Sequence, residues 1–180
     1  MKINYDAVGL AALTLSTSLA LLLVPDLTLE SLKNPAESAA VGTCFTFTVV
    51  VVLRGLGRRG SRMEQYLFAI FLGVMPLVYI QSRIFLGGSM EWLYLEIVGL
   101  VIFGALAVLG LVVSPWFTVV GLAAHGLGWD SWHPGRAAFM PSWYAGACLS
   151  IDLGWAIYAA TQVQAFRDAR LAWKPARLNR

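Results

Sequence analysis

The amino-acid sequence predicts an all-α, polytopic transmembrane bundle of six helices with both termini in the cytoplasm. Of the 180 residues, 58% are hydrophobic and 13% are charged, and the mean hydropathy is +0.70. The charged share is about half that of a typical soluble domain, and one soluble core cannot bury this much apolar surface. A bilayer-spanning helix needs about 20 mainly apolar residues. The chain therefore has room for six or seven spans in a single transmembrane domain, residues 1–180.

Six apolar stretches, separated by polar or turn-forming residues, define the predicted helices. The first is followed by Pro25 and Asp26 without a small-residue cleavage site, so we expect a retained helix and not a signal peptide. The third contains Pro76, which removes a backbone donor and predicts a kink. Ser89 ends the turn before the fourth, and Pro115 begins the fifth, since proline suits the first helical position. The predicted helices cover residues 7–24, 37–53, 63–82, 92–113, 115–132 and 141–166, and a basic tail covers 167–180.

Basic residues are distributed unevenly between the two sides of this bundle. With alternating spans, the loops on one side contain only Lys33, Arg83 and Arg136. By the positive-inside rule the richer side is cytoplasmic. We therefore expect both termini to lie inside, in the cell or inner membrane. The basic residues of the cytoplasmic side are Lys2, Arg54, Arg58, Arg59, Arg62, Arg167, Arg170, Lys174, Arg177 and Arg180.

Three ionisable side chains lie within predicted spans and away from the helix ends: Glu96, His125 and Asp152. Such groups are costly in a bilayer and mark a functional site by default. At a rise of about 1.5 Å per residue, they lie roughly 6, 10 and 16 Å below the outer boundary. If helices four to six pack together, these side chains line one polar cavity in the outer half of the bundle. We expect them to be the catalytic residues.

Five further residues lie at the outer boundary and are predicted to surround the mouth of that cavity. Asp130 and His133 are three positions apart, so they face each other on a helix and would gate the opening. They can equally cap the end of the fifth helix beside Arg136. The mouth residues are Asp130, His133, Gln81, Arg83 and Trp129.

These residue types permit two chemistries. A histidine and two carboxylates suit zinc, iron or manganese, so His125, Glu96 and Asp152 are candidate ligands of a divalent metal. This is the one cofactor that the sequence suggests. Without an ion, an imidazole between two carboxylates can donate and accept protons. A structural interpretation competes with both, because polar side chains also hydrogen-bond between packed helices.

Together the features favour a membrane protein that acts on or binds a lipophilic small molecule by acid–base or metal-assisted chemistry. The alternatives are a small proton-coupled transporter and a non-catalytic accessory subunit of a membrane complex. Expected partners are membrane lipid, the lipophilic molecule, and either a second copy of the chain or a membrane-complex subunit. Nucleic acid is not expected, because no basic face is interleaved with aromatic residues outside the spans.

Structural roles are expected for four other residues. Cys44 and Cys148 fall in apolar stretches, and the chain has no C-x-x-C pair. Isolated cysteines of this kind are usually buried small hydrophobes. The two cysteines would lie at similar depth, and a disulfide would need predicted helices two and six to touch.

Glu64 and Arg62, at the inner boundary, are expected to form a solvated pair.

A segment in the C-terminal third resembles small bacterial polytopic membrane proteins that have no assigned activity. In those proteins a histidine precedes a Trp-Asp pair, and a second histidine, a proline, a Trp-Tyr pair and an aspartate follow. The gap between the first histidine and the Trp-Asp pair is longer here than in that pattern. The resemblance implies a helical bundle in which these positions belong together, and it implies no reaction. The matching residues are His125, Trp129, Asp130, His133, Pro141, Trp143, Tyr144 and Asp152.

Overall fold

The computed structural model describes residues 35–133, 136–137, 139–140 and 142–178. In these residues the chain forms five α-helices and one π-helical segment, with no β-strand. The all-α class is confirmed for this part of the chain, whereas the predicted first helix, residues 7–24, lies outside it. The elements are α1 (Pro35–Gly55), α2 (Arg62–Leu86), α3 (Met90–Val112), α4 (Trp116–Ala124), the π segment (His125–Asp130) and α5 (Ser142–Leu178).

Three of these helices are long and apolar enough to cross a bilayer. They are Ala36–Gly55, Arg62–Leu86 and Met90–Val112, with mean hydropathies of 1.8, 1.7 and 2.6. A helix of 20 residues is about 30 Å long, which matches the hydrocarbon thickness of a membrane. Within the described residues the protein therefore has three candidate spans, consistent with a membrane protein. The number six and the cytoplasmic position of the termini stay predictions.

The ends of α2 follow from local sequence. Ser61 is its N-cap, and the Ser61 hydroxyl accepts the backbone N–H of Glu64 at 3.2 Å. At the other end the backbone of Gly87 has a φ of 91°, a conformation that favours glycine. The helix therefore continues to Leu86, one turn beyond the predicted end at residue 82.

The described residues divide into two compact units, one formed by those up to Gly57 together with those between Ala124 and Gly154, and the other by Arg58–Ala123 together with those from Trp155 onward. In the first unit α1 packs closely on the start of α5. A Cβ atom on Gly42 would overlap the carbonyl oxygen of Ala147, and the Thr46 hydroxyl lies 3.5 Å from the carbonyl oxygen of Ile151. The residue numbers of the two contacts increase together, from Gly42 to Thr46 on α1 and from Ala147 to Ile151 on α5. The two helices therefore run parallel. The same direction is expected if the spans alternate, because α1 and α5 correspond to the second and sixth predicted helices.

In the second unit α2 packs antiparallel to α3 and to the later part of α5. The Gln65 amide donates to the carbonyl oxygen of Gly110 at 2.8 Å, at the end of α3. Nearer the middle of α2, the Phe68 ring lies 5.3 Å from Trp155 and 5.9 Å from Tyr158, measured between centroids. These aromatic contacts are buried and form the core between α2 and α5.

Glu64 is fully buried in this unit, so the prediction that it is solvated is wrong. The Tyr158 hydroxyl donates to Glu64 Oε1 at 2.7 Å, and the backbone N–H of Gly60 donates to Oε2 at 2.5 Å. The Arg62 guanidinium donates to the Gln65 side chain. A buried carboxylate needs donors of this kind, because they replace the water that it has lost.

The last two predicted helices differ most from the observed ones. The predicted helix 115–132 is α-helical only to Ala124 and continues as the π segment. The predicted helix 141–166 extends to Leu178, so most of the expected polar tail is helical. Arg170 contributes to this extension, because its guanidinium donates to the carbonyl oxygens of Val112 and Val113 at 3.0 and 2.7 Å. Such donors satisfy the free carbonyl groups at the end of α3.

Candidate functional site

The π segment places His125 and Asp130 on the same side of the helix. A π-helix joins residues five apart, and the backbone N–H of Ser131 donates to the carbonyl oxygen of Gly126 at 3.1 Å in this manner. His125 and Asp130 have the same spacing, and His125 Nδ1 lies 3.2 Å from Asp130 Oδ2. In a regular α-helix residues five apart point in different directions, since a turn has 3.6 residues. The wider turn therefore creates this contact.

Gly126 allows the π segment to approach α5. A Cβ atom at this position would lie 3.1 Å from Asp152 Cβ and 3.4 Å from both Leu149 Cδ1 and the Leu149 carbonyl oxygen. Because glycine lacks this atom, the backbones come close enough for the two side chains to meet. His125 Nδ1 lies 2.7 Å from Asp152 Oδ2. One ring nitrogen thus faces two carboxylates from different elements.

His125, Asp130 and Asp152 form a compact, fully buried cluster. Each side chain is 0% exposed, and one potential ligand atom from each lies within 4.8 Å of the other two. Asp152 Oδ1 is also buried and has no hydrogen-bond partner among the described residues. A buried carboxylate oxygen left in this state costs free energy. The cluster therefore contains a carboxylate oxygen, Asp152 Oδ1, that a bound cation can coordinate.

The structure places the predicted catalytic residues in two different units. His125 and Asp152 meet in the first unit, as described. Glu96 lies on α3 in the second unit, where its side chain is fully buried. Asp130, expected at the mouth, is the third member of the cluster in the first unit. A role for Glu96 in the same site stays a prediction.

His133 and its aromatic neighbours follow the π segment. The His133 ring is nearly fully buried, and its Nδ1–H donates to the carbonyl oxygen of Trp129 at 2.6 Å. The His133 and Trp132 rings are nearly perpendicular, and their centroids lie 5.6 Å apart. The Arg136 guanidinium lies over the Trp132 ring, 5.1 Å from its centroid, and donates to the Trp132 carbonyl oxygen. These contacts fix the chain where the π segment ends.

Gln81 and Arg83, also predicted at the mouth, lie near the end of α2 in the second unit. Gln81 is exposed and Arg83 is half-buried. The Arg83 Nε–H donates to the carbonyl oxygen of Ser89 at 3.1 Å, across the turn between α2 and α3. This hydrogen bond gives Arg83 a role in closing the turn.

Tyr144 belongs to the sequence pattern shared with the small bacterial proteins, and Cys148 was expected to be a buried small hydrophobe. Both precede Asp152 on the same face of α5. The Cys148 side chain is buried, and the Tyr144 side chain is half-buried. Their spacing is the available signal, because residues four apart lie on successive turns of one helix face. Tyr144, Cys148 and Asp152 thus lie on one face of α5.

This arrangement can bind a cation or share a proton. Imidazole nitrogen and carboxylate oxygen are common ligands of divalent transition metals, and the same atoms at 2.7 and 3.2 Å can exchange a proton. Comparison with protein-family models, curated proteins and solved structures finds no match to this chain. Function is therefore inferred from the cluster itself.

Proposed function

We propose that this membrane protein binds one divalent transition-metal ion through His125, Asp130 and Asp152, and uses it to act on or bind a lipophilic small molecule. The observation that carries this proposal is the convergence of three ligand atoms within 4.8 Å at a fully buried position. Residues far apart in sequence supply them, since 27 positions separate His125 from Asp152.

The charge of the cluster supports a divalent cation. Two buried carboxylates are costly unless positive charge or hydrogen bonds compensate them. Among these three side chains, a protonated His125 supplies one positive charge against two carboxylates, whereas a divalent cation with a neutral imidazole matches the charge of both Asp130 and Asp152. Metal binding thus removes the electrostatic cost that the cluster otherwise imposes on the folded protein.

The geometry requires only a small adjustment. With ligand bonds of about 2.0–2.2 Å, tetrahedral donors lie roughly 3.4 Å from one another. The Nδ1 to Oδ2 distances of 2.7 and 3.2 Å would lengthen by less than about 1 Å. Small side-chain rotations of His125, Asp130 and Asp152 provide this change.

Three protein ligands leave a fourth coordination position, as catalytic zinc sites do. A metal there can polarise a carbonyl or ester oxygen or activate a water molecule. The first unit exposes the large apolar side chains of Phe45, Phe47 and Leu127, and large exposed apolar groups suit a lipid environment. A molecule that reaches the cluster from the bilayer is therefore expected to be lipophilic.

The short separation of 2.7 Å between His125 Nδ1 and Asp152 Oδ2 favours a second candidate, a metal-free acid–base pair. A hydrogen bond of this length lets an imidazole donate or accept a proton during a reaction or as part of a proton-coupled transport step. An accessory subunit of a membrane complex would need neither activity. Metal content separates the first candidate from these two.

The experiment is elemental mass spectrometry of the full chain purified in detergent. We expect near one equivalent of zinc, iron or manganese per chain in the wild type and its loss in His125→Ala. His133→Ala is the matched control, because this second histidine is equally buried but lies outside the cluster. Absence of metal from the wild type, together with no uptake on incubation with zinc or cobalt, would exclude the metal site.

A further inference from the structure

Two arginine side chains of the second unit meet at the end of α3. The Arg62 guanidinium, at the start of α2, donates from Nη1 to the carbonyl oxygen of Leu111 at 3.4 Å. The Arg170 guanidinium, on α5, donates from Nη1 to the carbonyl oxygens of Val112 and Val113 at 3.0 and 2.7 Å. These three carbonyl groups are consecutive at the end of one helix, so the two guanidinium groups are neighbours.

Three more arginines lie at the same end of the unit. The Nε–H of Arg59 donates to the Gln162 side chain at 3.3 Å, which attaches the loop before α2 to α5. Arg58 precedes Arg59 in this loop. Arg167 lies on α5 three residues before Arg170, and both Arg58 and Arg167 are exposed. We call the set the basic patch, which consists of Arg58, Arg59, Arg62, Arg167 and Arg170.

The negative charge at this end of the unit is smaller than the positive charge. Residues 58–66 and 162–172 contain two carboxylates, those of Glu64 and Asp168. Glu64 is fully buried and accepts from the Tyr158 hydroxyl, and Asp168 accepts from the Gln164 side chain. The C-terminal end of α3 adds roughly half a negative charge. The guanidinium groups of the basic patch therefore exceed these charges and attract an anion.

The Arg170 guanidinium has donors left for such an anion. Arginine carries five N–H donors in a planar group, and Arg170 uses Nη1 for the two carbonyl oxygens at the end of α3. Its Nε atom is buried and has no hydrogen-bond partner among the described residues. Nε and Nη2 form one edge of the group, which matches two oxygens of a phosphate. A phosphate there would give the Nε–H an acceptor and remove the cost of burying it unpaired.

We propose that Arg62 and Arg170 bind the phosphate group of an anionic phospholipid. The site is separate from the His125 cluster, because both arginines belong to the second unit. The positive-inside rule assigns the end of the unit that carries the basic patch to the cytoplasmic side. Anionic headgroups on that side attract basic residues next to a span, and guanidinium–phosphate pairs are often bidentate.

The surface of α2 beside Arg62 supports a lipid over a free phosphate ion. Met63, Tyr66, Leu67 and Ile70 are exposed, and their spacing of three and four residues places them in one stripe along the helix. Arg62 starts this stripe, since its Nη2 donates to the Tyr66 hydroxyl at 3.2 Å and its guanidinium carbon lies 4.9 Å from the Tyr66 ring centroid. The acyl chains of a lipid can therefore lie along the stripe while its phosphate binds the arginines.

The test compares two lipids on the full chain purified in detergent. Native mass spectrometry counts the molecules that stay bound after addition of phosphatidylglycerol, which is anionic, or phosphatidylcholine, which has no net charge. Arg62→Gln and Arg170→Gln, singly and together, remove the proposed headgroup ligands. Arg83→Gln is the matched control, because Arg83 lies near the other end of α2, is also half-buried and also donates to a backbone carbonyl oxygen.

We expect the wild type and Arg83→Gln to retain phosphatidylglycerol in preference to phosphatidylcholine. Affinity for phosphatidylglycerol should fall about fivefold in each single glutamine variant and further in the double variant, the effect of one basic residue near an anionic surface. Arg170→Lys keeps the charge but loses the paired donors, so its loss should be smaller. Should the glutamine variants not fold, the wild type and Arg170→Lys still provide the test.

Three results overturn the inference. Equal retention of the two lipids by the wild type excludes a site for an anionic headgroup. A preference for phosphatidylglycerol that is unchanged in the double glutamine variant, or in Arg170→Lys when only that variant folds, places the headgroup away from these arginines. Inorganic phosphate that displaces phosphatidylglycerol and raises the thermal unfolding midpoint of the wild type as much assigns the arginines to a free anion instead of a lipid.

Discussion

His125 and Asp152 are 27 positions apart in sequence, yet His125 Nδ1 lies 2.7 Å from Asp152 Oδ2. Two local features bring them together. The π turn directs the imidazole to the side on which Asp130 also lies, and Gly126 lets this turn contact the backbone of α5. The cluster thus depends on helix geometry and on one small residue as much as on the three side chains that form it.

The first prediction concerns Gly126. In Gly126→Ala the new methyl group meets Asp152 Cβ at 3.1 Å and Leu149 at 3.4 Å. The π segment must then move away from α5, which should cost about 1–3 kcal/mol, as overpacking does. Cobalt affinity should fall by about tenfold or more, the range seen when the supports of metal ligands are lost. Thermal unfolding and cobalt titration in detergent measure the two effects.

Gly128 offers the matched control for this substitution. It lies in the same π segment, but a Cβ atom there would have no neighbour within 4 Å. Gly128→Ala should leave cobalt affinity unchanged and stability within about 0.5 kcal/mol. Equal losses in both alanine variants would mean that the π backbone, and not the contact of Gly126 with α5, controls the site.

The second prediction separates folding from binding at Asp130. Asp130→Asn removes one of two buried carboxylates, so the metal-free protein should gain stability on the order of 1 kcal/mol. The same change removes a ligand. At a cobalt concentration of about 100 times the wild-type Kd, the metal should stabilise the wild type by about 2.7 kcal/mol and the variant by much less. Thermal unfolding with and without cobalt tests both parts.

A cobalt-dependent stabilisation of Asp130→Asn equal to that of the wild type would exclude Asp130 as a ligand. The control is Asp168→Asn on α5, because Asp168 is exposed and accepts a hydrogen bond from the Gln164 side chain one turn earlier on the same helix. This variant should match the wild type in both conditions.

The apolar spans could be predicted from sequence within a few residues. Residues 37–53, 63–82 and 92–113 correspond to α1 (Pro35–Gly55), α2 (Arg62–Leu86) and α3 (Met90–Val112). Apolar runs of bilayer length dominate these segments, and hydropathy detects them directly. The ends differ because caps and tertiary contacts decide them. Arg170, for example, holds the extension of α5 against the carbonyl groups that end α3.

The site was harder to predict because its geometry is not that of a regular α-helix. Depth along straight helices identified His125 and Asp152 as intramembrane groups, and the structure places them in contact. Asp130 was expected at the mouth, since it lies near the outer end of the predicted fifth helix, and in a regular α-helix it would not face His125. Gly126 in the π segment lies against α5, and a local sequence pattern does not specify a contact between residues so far apart in the chain.

The third prediction concerns the buried carboxylate of the second unit. Tyr158→Phe removes the hydroxyl that donates to Glu64 Oε1 at 2.7 Å. A buried carboxylate that loses a donor should destabilise the protein by about 1–3 kcal/mol. Tyr94→Phe is the control, because Tyr94 is 63% exposed and its hydroxyl has access to the surroundings. Chemical unfolding in detergent should distinguish the two variants.

Cobalt binding should be unchanged in Tyr158→Phe, because Glu64 and Tyr158 belong to the second unit and the cluster to the first. If Tyr158→Phe lost both cobalt binding and stability, the Glu64–Tyr158 pair and the His125 cluster would not have independent roles. Unchanged stability in Tyr158→Phe would show instead that the Gly60 N–H and other neighbours suffice for Glu64.

The fourth prediction tests sidedness. The basic loop between α1 and α2 should lie in the cytoplasm under the positive-inside rule, and the turn between α2 and α3 should lie outside. Arg58 and Ser89 are exposed residues of these two segments, so each can be replaced by cysteine in a background of Cys44→Ala and Cys148→Ala. A membrane-impermeant maleimide applied to intact cells should label Ser89→Cys.

Arg58→Cys should react with the same reagent only after the membrane is permeabilised. The unsubstituted background without cysteines is the control for non-specific labelling, and full reaction of both variants in detergent shows that each thiol is accessible. The reverse pattern would place the basic loop outside, against the charge distribution. Labelling of both sites in intact cells would mean that α2 does not separate two sides of a membrane, although its length and hydropathy of 1.7 permit a span.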